Sequence, residues 1–190
     1  MIYISLDIET TGLDPKTCDI LEIGAYVEDT DTQLPRAELP YWHRYIWKEN
    51  YRGQPYAFMM NAHIFKKILD LKKTGSELVI FPEYAATTFA DFVFCNVKGN
   101  KPVVAGKNVA GFDLPFIQEN ILNWRVGFNF HHRVIDPGML YFNPLTDAVP
   151  PDLTTCKQRA GLPELVTHEA LDDAWDVIQL VRAKYPRVYE

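Results

Sequence analysis

The chain contains 190 residues, of which 47% are apolar and 13% aromatic, so its composition is that of a globular protein and not of a disordered chain, a collagenous repeat or a fibrous coiled coil. One domain spanning residues 1–190 is expected at this length. The 19 Lys and Arg residues against 25 Asp and Glu residues give a net charge of -6. This charge lowers the expectation of a nucleic-acid partner, because proteins that bind duplexes usually carry a basic surface.

The sequence also indicates where the protein works. No apolar run approaches the roughly 18 residues of a membrane span, and Asp7 lies where a signal peptide would need its apolar centre. The three cysteines, Cys18, Cys95 and Cys156, are odd in number and lack CxxC spacing, which favours reduced thiols over a disulfide framework or a thiolate zinc site. We therefore expect a cytoplasmic protein with no membrane association.

The first third of the chain predicts three strands. Apolar and polar residues alternate over Ile2–Glu9, and the turn residues Thr10–Pro15 follow. A second strand is predicted over Ile20–Val27 and a third within Tyr41–Trp47. The short connections between these strands favour antiparallel pairing.

Helical periodicity predominates in the rest of the chain, with Pro near several predicted starts and Gly behind several predicted ends. The predicted helices are Pro55–Lys73, Pro82–Gly99, Asp113–Leu122, Leu153–Ala160 and His168–Tyr185, and the further predicted strands are Pro102–Gly106 and Val134–Leu140. This order indicates one α/β domain.

Two acidic residues lie two positions apart on the first predicted strand. A period of two places Asp7 and Glu9 on one face, opposite the aliphatic residues of that strand. Two like charges that are buried together are costly unless a cation or hydrogen bonds compensate them. An oxygen-loving divalent metal such as Mg²⁺ or Mn²⁺ would explain the pair, whereas a solvated face on an edge strand would need no metal. The spacing alone leaves both interpretations open.

The last predicted helix contributes a further acid. At about 100° per residue, Asp173 lies at the edge of the apolar arc, whereas Asp172 and Asp176 fall on the far side and are predicted to face solvent. We therefore assign Asp173 as the functional carboxylate. His168 lies at the helix start, where it can reach a ligand or serve as an ordinary surface or cap-region histidine, and Thr167 is the predicted N-cap.

A third acid lies in the middle of the chain. Asp113 follows a Gly-bearing loop and precedes Pro115, so local rules predict that it is the N-cap of the following helix. That structural role would account for Asp113 by itself.

Taken together, these residues resemble the three motifs of the DnaQ-like (DEDD) 3′-5′ exonuclease superfamily, and the histidine five residues before the last aspartate is the mark of its DEDDh subgroup. The motifs lie at the start, middle and end of the chain, in Asp7–Leu13, in Asn108 with Phe112–Phe116, and in His168–Ala174. The resemblance implies a ribonuclease H-like fold, a mixed β-sheet whose first three strands are antiparallel, flanked by α-helices.

The resemblance also implies the catalytic residues. Two divalent ions, Mg²⁺ or Mn²⁺, are expected to be held by Asp7, Glu9, Asp113 and Asp173, with His168 as the general base. Two ions about 3.5–4 Å apart stabilise the attacking and leaving oxygens of a phosphodiester displacement. An imidazole with a pKa near 6.5 accepts a proton around neutral pH. The ions would also cancel the formal charge of their four ligands, which weakens the argument from net charge against a nucleic-acid partner.

Five further residues are candidates for substrate binding. Thr10 and Leu13 resemble the residues that receive the 3′-terminal nucleotide, the first by backbone contact and the second as an apolar wedge, although turn and core packing would also account for them. The other candidates are Asn61, Asn108 and Phe112. Asn108 lies five residues before Asp113 where many members have four, which implies an extra loop residue.

The resulting prediction is a metal-dependent 3′-5′ exonuclease that releases nucleoside 5′-monophosphates from single-stranded 3′ ends, with DNA slightly favoured. It would act alone, as a homodimer or in association with a polymerase. The alternatives are an exoribonuclease or short-oligonucleotide hydrolase of the same fold, cleavage of a small nucleotide signal at the same metal centre, and an inactive nucleic-acid or protein-binding module. The five chemically competent catalytic positions argue against the last alternative.

Overall fold

A computed structural model describes residues 1–97, 101–121, 130–165 and 167–186 of the protein. Within these residues the chain forms a six-stranded sheet with the spatial order β4-β3-β2-β1-β5-β6. The strands are β1 (Ile2–Thr10), β2 (Ile20–Asp29), β3 (Tyr41–Ile46), β4 (Val79–Ile80), β5 (Val103–Ala105) and β6 (Val134–Ile135).

The pairing within the sheet is mixed. β1, β2 and β3 pair antiparallel, which confirms the prediction for the first three strands. β5 lies parallel to β1 and to β6, and β4 lies parallel to β3. β4 was not predicted, because two residues are too few to show a period of two.

Seven helices are present in the described parts of the chain, and one 3-10 turn covers Arg36–Glu38. The helices are α1 (Pro55–Met60), α2 (Ala62–Lys73), α3 (Pro82–Asn96), α4 (Asp113–Asn120), α5 (Pro137–Leu140), α6 (Leu153–Ala160) and α7 (Ala170–Lys184). None of them is long and apolar enough to cross a lipid bilayer.

Some of these boundaries differ from the prediction. The single predicted helix Pro55–Lys73 divides at Asn61, whose side chain donates a hydrogen bond of 2.9 Å to the Thr10 carbonyl. The predicted strand Val134–Leu140 is wrong from Pro137 onward, because Asp136 accepts a hydrogen bond from the Gly138 N–H and caps a short helix. The predicted helix ends at Gly99 and Leu122 lie outside the described residues, and the helices end at Asn96 and Asn120.

Helices cover both faces of the sheet. On one face, Ile4, Leu6 and Ile8 of β1 are buried in an apolar cluster with Phe89 of α3 and Phe116 of α4. The Trp42 ring of β3 packs edge-on against Phe89 with centroids 5.1 Å apart. These contacts anchor β1 from the side that carries no acidic residues.

On the other face, α7 lies across β1 and β2. Tyr3 and Tyr26 from the sheet are buried against Ala174, Val177 and Ile178 from the helix. The apolar arc predicted for the last helix therefore faces the sheet. The packing of α7 on β1 and β2 therefore determines where the acidic residues of the helix meet those of β1.

Candidate active site

Asp7 and Glu9 lie in the C-terminal half of β1. They lie on the same face as Tyr3 and Ser5, as the period of two predicted, and this face is covered by the helix. The Ser5 hydroxyl donates a buried hydrogen bond of 2.7 Å to the Ala174 carbonyl. The two carboxylates are thereby held beneath the first turn of α7.

Gly24 allows the helix to approach the sheet this closely. It is the β2 partner of Asp7, and a Cβ placed on it would lie 2.4 Å from the Leu171 nitrogen and 2.5 Å from the Ala170 carbonyl carbon. Any side chain at this position would therefore displace the helix backbone. Gly24 was not singled out in the sequence, although a glycine inside a buried strand is itself an indication of close backbone approach.

Three potential metal ligands from β1 and from the start of α7 meet at this point. One ligand atom from each of Glu9, His168 and Asp173 lies within 4.8 Å of the other two. Asp173 is 6% exposed, and its Oδ1 has no hydrogen-bond partner among the described residues. His168 has a φ of 53°, a left-handed conformation that is uncommon outside glycine and often occurs at functional sites.

Asp113 reaches the same site from α4. Because β5 pairs with β1 only as far as Ser5, the edge of β1 beyond that residue has free backbone groups. Asp113 Oδ1 accepts a hydrogen bond of 3.1 Å from the Ile8 N–H on this edge. The predicted N-cap role is therefore wrong, since Phe112 occupies the N-cap position and the Asp113 side chain binds the backbone of β1 instead.

Burial and mutual repulsion alter the acidity of this cluster. Burial raises the pKa of Asp7 well above its ordinary value, and the charges of Asp113 and Asp173 raise it further. Burial, followed by the charges of Asp173 and Glu22, raises the pKa of Glu9 to about 8. Burial also raises the pKa of both Asp113 and Asp173 to about 7. The four carboxylates therefore resist full ionisation unless a cation is present.

These residues fit a divalent cation. The donor set consists of carboxylate oxygens and one imidazole, which suits Mg²⁺ or Mn²⁺ better than a thiolate-preferring metal. The buried Oδ1 of Asp173, which has no partner in the described parts of the chain, supplies an acceptor for such an ion. A cation would also remove the repulsion that raises the pKa of Asp7.

A pocket of about 340 Å³ opens beside the cluster. Four of the five predicted substrate-binding residues, together with Glu9 and His168, line it: Thr10, Leu13, Asn61 and Phe112. The fifth, Asn108, is not among the lining residues. It is exposed, and its N–H donates to Asp136 Oδ2 at 3.1 Å.

Further residues of α1 and α2 that line the pocket were not among the predicted substrate-binding residues. Tyr56 and Met60 of α1 and His63 of α2 line the pocket. Leu13, Tyr56 and Met60 are 76%, 74% and 50% exposed, so they form an apolar rim. Tyr56 and Met60 are four residues apart, which is also the spacing of residues that face a core. The sequence alone therefore does not distinguish a surface position from a core position.

Residues 4–181 match the sequence model of the RNase_T family, whose description is exonuclease. The chain belongs to this family. Membership confirms the resemblance to the DnaQ-like (DEDD) exonucleases that the three motifs indicate. Comparison with curated proteins gave no significant match.

Solved structures share the fold of this RNase_T family member. E. coli exonuclease I in complex with a dT13 oligonucleotide has a TM-score of 0.63 and 17% sequence identity over 98% of this chain and 42% of that chain. Cell-death related nuclease 4 (CRN-4) has a TM-score of 0.67 and 11% identity over 95% of this chain and 62% of that chain. The likeness confirms the ribonuclease H-like mixed sheet flanked by helices. This chain spans less than half of exonuclease I.

Two acidic residues of α7 in this RNase_T family member, Asp172 and Asp176, are less exposed than predicted. Asp172 does not simply face solvent, because it is half-buried and accepts a hydrogen bond from Arg36. Asp176 is also half-buried and accepts from the Lys157 ammonium at 2.5 Å. A helical wheel describes only one helix, so it could not include cations supplied by the 3-10 turn and by α6.

The start of α7 also differs. The helix begins at Ala170, two residues after His168, and Glu169 precedes it without a side-chain cap. Thr167 is therefore not the N-cap, and its hydroxyl lies 3.4 Å from Asp172 Oδ2. His168 consequently lies on the loop that enters the helix.

Proposed function

We propose that this chain is a metal-dependent 3′-5′ exonuclease of the DEDDh type, with residues 1–190 acting as one exonuclease domain. It would release nucleoside 5′-monophosphates from single-stranded nucleic acid, with DNA favoured. The observation that carries the proposal is the cluster of Glu9, His168 and Asp173 beside a pocket that four of the five predicted substrate-binding residues line. Exonuclease I, whose fold this chain shares, binds a single-stranded DNA oligonucleotide in its solved complex.

The acidic residues and His168 would have separate roles. Asp7, Glu9, Asp113 and Asp173 would hold two divalent ions, and such ions, when bound, stabilise the attacking and leaving oxygens of the scissile phosphodiester. His168 is exposed at the pocket, where its imidazole is free to accept the proton of the attacking water. The buried position of Asp113, hydrogen-bonded to the backbone of β1, keeps its carboxylate aligned with Asp7.

The pocket favours a strand end over a duplex. Its volume of about 340 Å³ is at the lower end of the range for small-molecule sites, which suits one terminal nucleotide. The exposed rim of Leu13, Tyr56 and Met60 offers apolar and aromatic surface for a base. Asn61 is tied to the Thr10 carbonyl, so it fixes the helical wall against the end of β1.

An assay with end-labelled single-stranded DNA, single-stranded RNA and dinucleotides, with and without EDTA, tests this function. We expect mononucleotides to be released stepwise from the 3′ end in Mg²⁺ or Mn²⁺, with DNA degraded fastest, and we expect EDTA to stop release. Degradation from the 5′ end, or no degradation in either metal, would contradict the proposal. Faster cleavage of RNA or of dinucleotides would favour the exoribonuclease or short-oligonucleotide alternative.

The His168→Ala variant tests the role of the imidazole. Because His168 lies close enough to Glu9 and Asp173 to share a cation with them, base and ligand roles must be separated by measurement. As the general base, its loss should lower kcat by about 10²- to 10⁴-fold, while Mn²⁺ affinity measured by calorimetry stays near that of the wild type. His63→Ala, at the other histidine of the pocket, is the matched control and should retain most of kcat. Loss of Mn²⁺ binding in His168→Ala would make His168 a ligand.

A further inference from the structure

A fifth buried acid lies next to the candidate metal ligands and belongs to none of the three motifs. Glu22 of β2 is 0% exposed and is the antiparallel partner of Glu9 in the sheet register. Residues paired in this way project from the same face, with Cβ atoms about 4.5–5.5 Å apart. Glu22 therefore faces the cluster of carboxylates beneath the first turn of α7.

The hydrogen bonds of Glu22 are incomplete. His43 Nε2 lies 2.6 Å from Glu22 Oε1, and the imidazole donates this bond to the carboxylate. Glu22 Oε2 is buried and has no partner among the residues that the structure describes. A buried carboxylate oxygen that no donor satisfies costs free energy. Glu22 Oε2 is therefore an acceptor that a bound group, such as a cation, could satisfy.

A second buried glutamate on the same strand, Glu28, has both of its carboxylate oxygens satisfied by a side chain of the protein. Glu28 is 1% exposed, and its two oxygens accept from Arg182 Nε at 2.8 Å and from Arg182 Nη2 at 2.6 Å. In the described parts of the chain no guanidinium pairs with Glu22 in this way. Its cross-strand neighbour is instead another acid, Glu9.

One lysine near this region is paired with groups other than Glu22. The Lys67 ammonium on α2 lies 3.2 Å from both oxygens of Glu169. It also lies over the ring of Tyr45, the β3 partner of Glu22, with 5.6 Å from nitrogen to centroid. Among the described residues only His43 pairs with Glu22, and ions of the metal centre would supply further positive charge beside it.

We propose that Glu22 is a fifth carboxylate of the metal centre, a positioning residue whose charge and free Oε2 stabilise the divalent cations held by Glu9 and Asp173. His43 fixes the orientation of the Glu22 carboxylate through its hydrogen bond to Oε1. The inference rests on the proposed function, because it presupposes that the cluster binds divalent ions. It assigns to this centre a residue that none of the three exonuclease motifs contains.

Calorimetric titration of the protein with Mn²⁺ at pH 8 tests this role in the variants Glu22→Gln and Glu28→Gln. Outer residues that support metal ligands typically contribute about 10- to 100-fold to metal affinity, so Glu22→Gln should weaken Mn²⁺ binding by at least about tenfold. Its metal-free Tm should be no lower than that of the wild type, because the substitution removes one of several neighbouring negative charges. The rise in Tm on adding Mn²⁺ should shrink.

Glu28→Gln is the matched control, since it removes a buried charge from the same strand. It breaks the ion pair with Arg182 and should lower the metal-free Tm. Its Mn²⁺ affinity should equal that of the wild type. A loss of Mn²⁺ affinity in both variants alike would overturn the inference, because the effect would then belong to the strand and not to Glu22.

The two proposals fail in different ways. If the wild type binds no Mn²⁺, the proposed function fails with the inference, whereas wild-type affinity in folded Glu22→Gln overturns the inference alone. Should Glu22→Gln not fold, His43→Gln takes its place, because it leaves the Glu22 charge and removes only the imidazole that orients it. A measurable fall in Mn²⁺ affinity in His43→Gln supports the inference, and unchanged affinity overturns it.

Discussion

Replacing Asp173 with asparagine should abolish nucleotide release in Mg²⁺ or Mn²⁺, whereas the same change at the neighbouring Asp172 should leave release largely intact. Asp173 is buried beside Glu9 with a free Oδ1, so loss of its charge removes a metal ligand at the centre of the cluster. Asp172 is half-buried and pairs with Arg36. An ion pair of this exposure contributes at most about 1 kcal/mol to stability.

The measurement is the release of mononucleotides from labelled single-stranded DNA, with circular dichroism to verify that each variant folds. Asp7→Ala provides a second test, because Asp7 lies on β1 and not on α7, and this variant should be equally inactive. Undiminished turnover in either Asp7→Ala or Asp173→Asn would rule out the metal-ligand assignment. Equal losses in Asp172→Asn and Asp173→Asn would show that the helix start, and not one carboxylate, was damaged.

The strand face of Asp7 and Glu9 could be predicted because side-chain direction in a strand depends only on sequence parity. Asp113 could be found from its motif, but its local interpretation as a helix N-cap was wrong. Turn and capping rules consider neighbours in sequence, and the hydrogen-bond partner of Asp113 is the Ile8 N–H, 105 positions away. The same limit explains Asp172 and Asp176, whose partners are contributed by other elements.

The position of Glu22 at the candidate metal centre was not predicted, because β2 is buried on both faces. All but the last residue of this strand are buried, so apolar alternation gave no indication that an acid at this position lies under a helix. Only the register with Glu9 and the unpartnered Oε2 reveal its relation to the metal centre. Similarly, the position of Tyr56 and Met60 at the rim follows from the placement of α1 beside the end of β1.

Substituting alanine for Gly24 should disable the site without touching any acidic residue. The new Cβ would lie 2.4 Å from the Leu171 nitrogen and 2.5 Å from the Leu171 Cα. These are backbone atoms, so the start of α7 has to move. Overpacking of this kind costs about 1–3 kcal/mol of unfolding free energy. Displacement of His168 and Asp173 by roughly 1 Å relative to Glu9 should lower turnover by about 10²-fold.

Ile178→Val is the control that separates displacement from lost stability. Ile178 is 0% exposed on the same helix, and this truncation costs about 0.5–1.5 kcal/mol. It leaves the helix start in contact with Gly24, so turnover per folded molecule should be unchanged. Denaturant unfolding and steady-state turnover are measured on both variants. The comparison separates displacement of the helix start from loss of stability. If Gly24→Ala retained wild-type turnover, the close approach of α7 to β2 would not be what aligns Asp173 and His168 with Glu9.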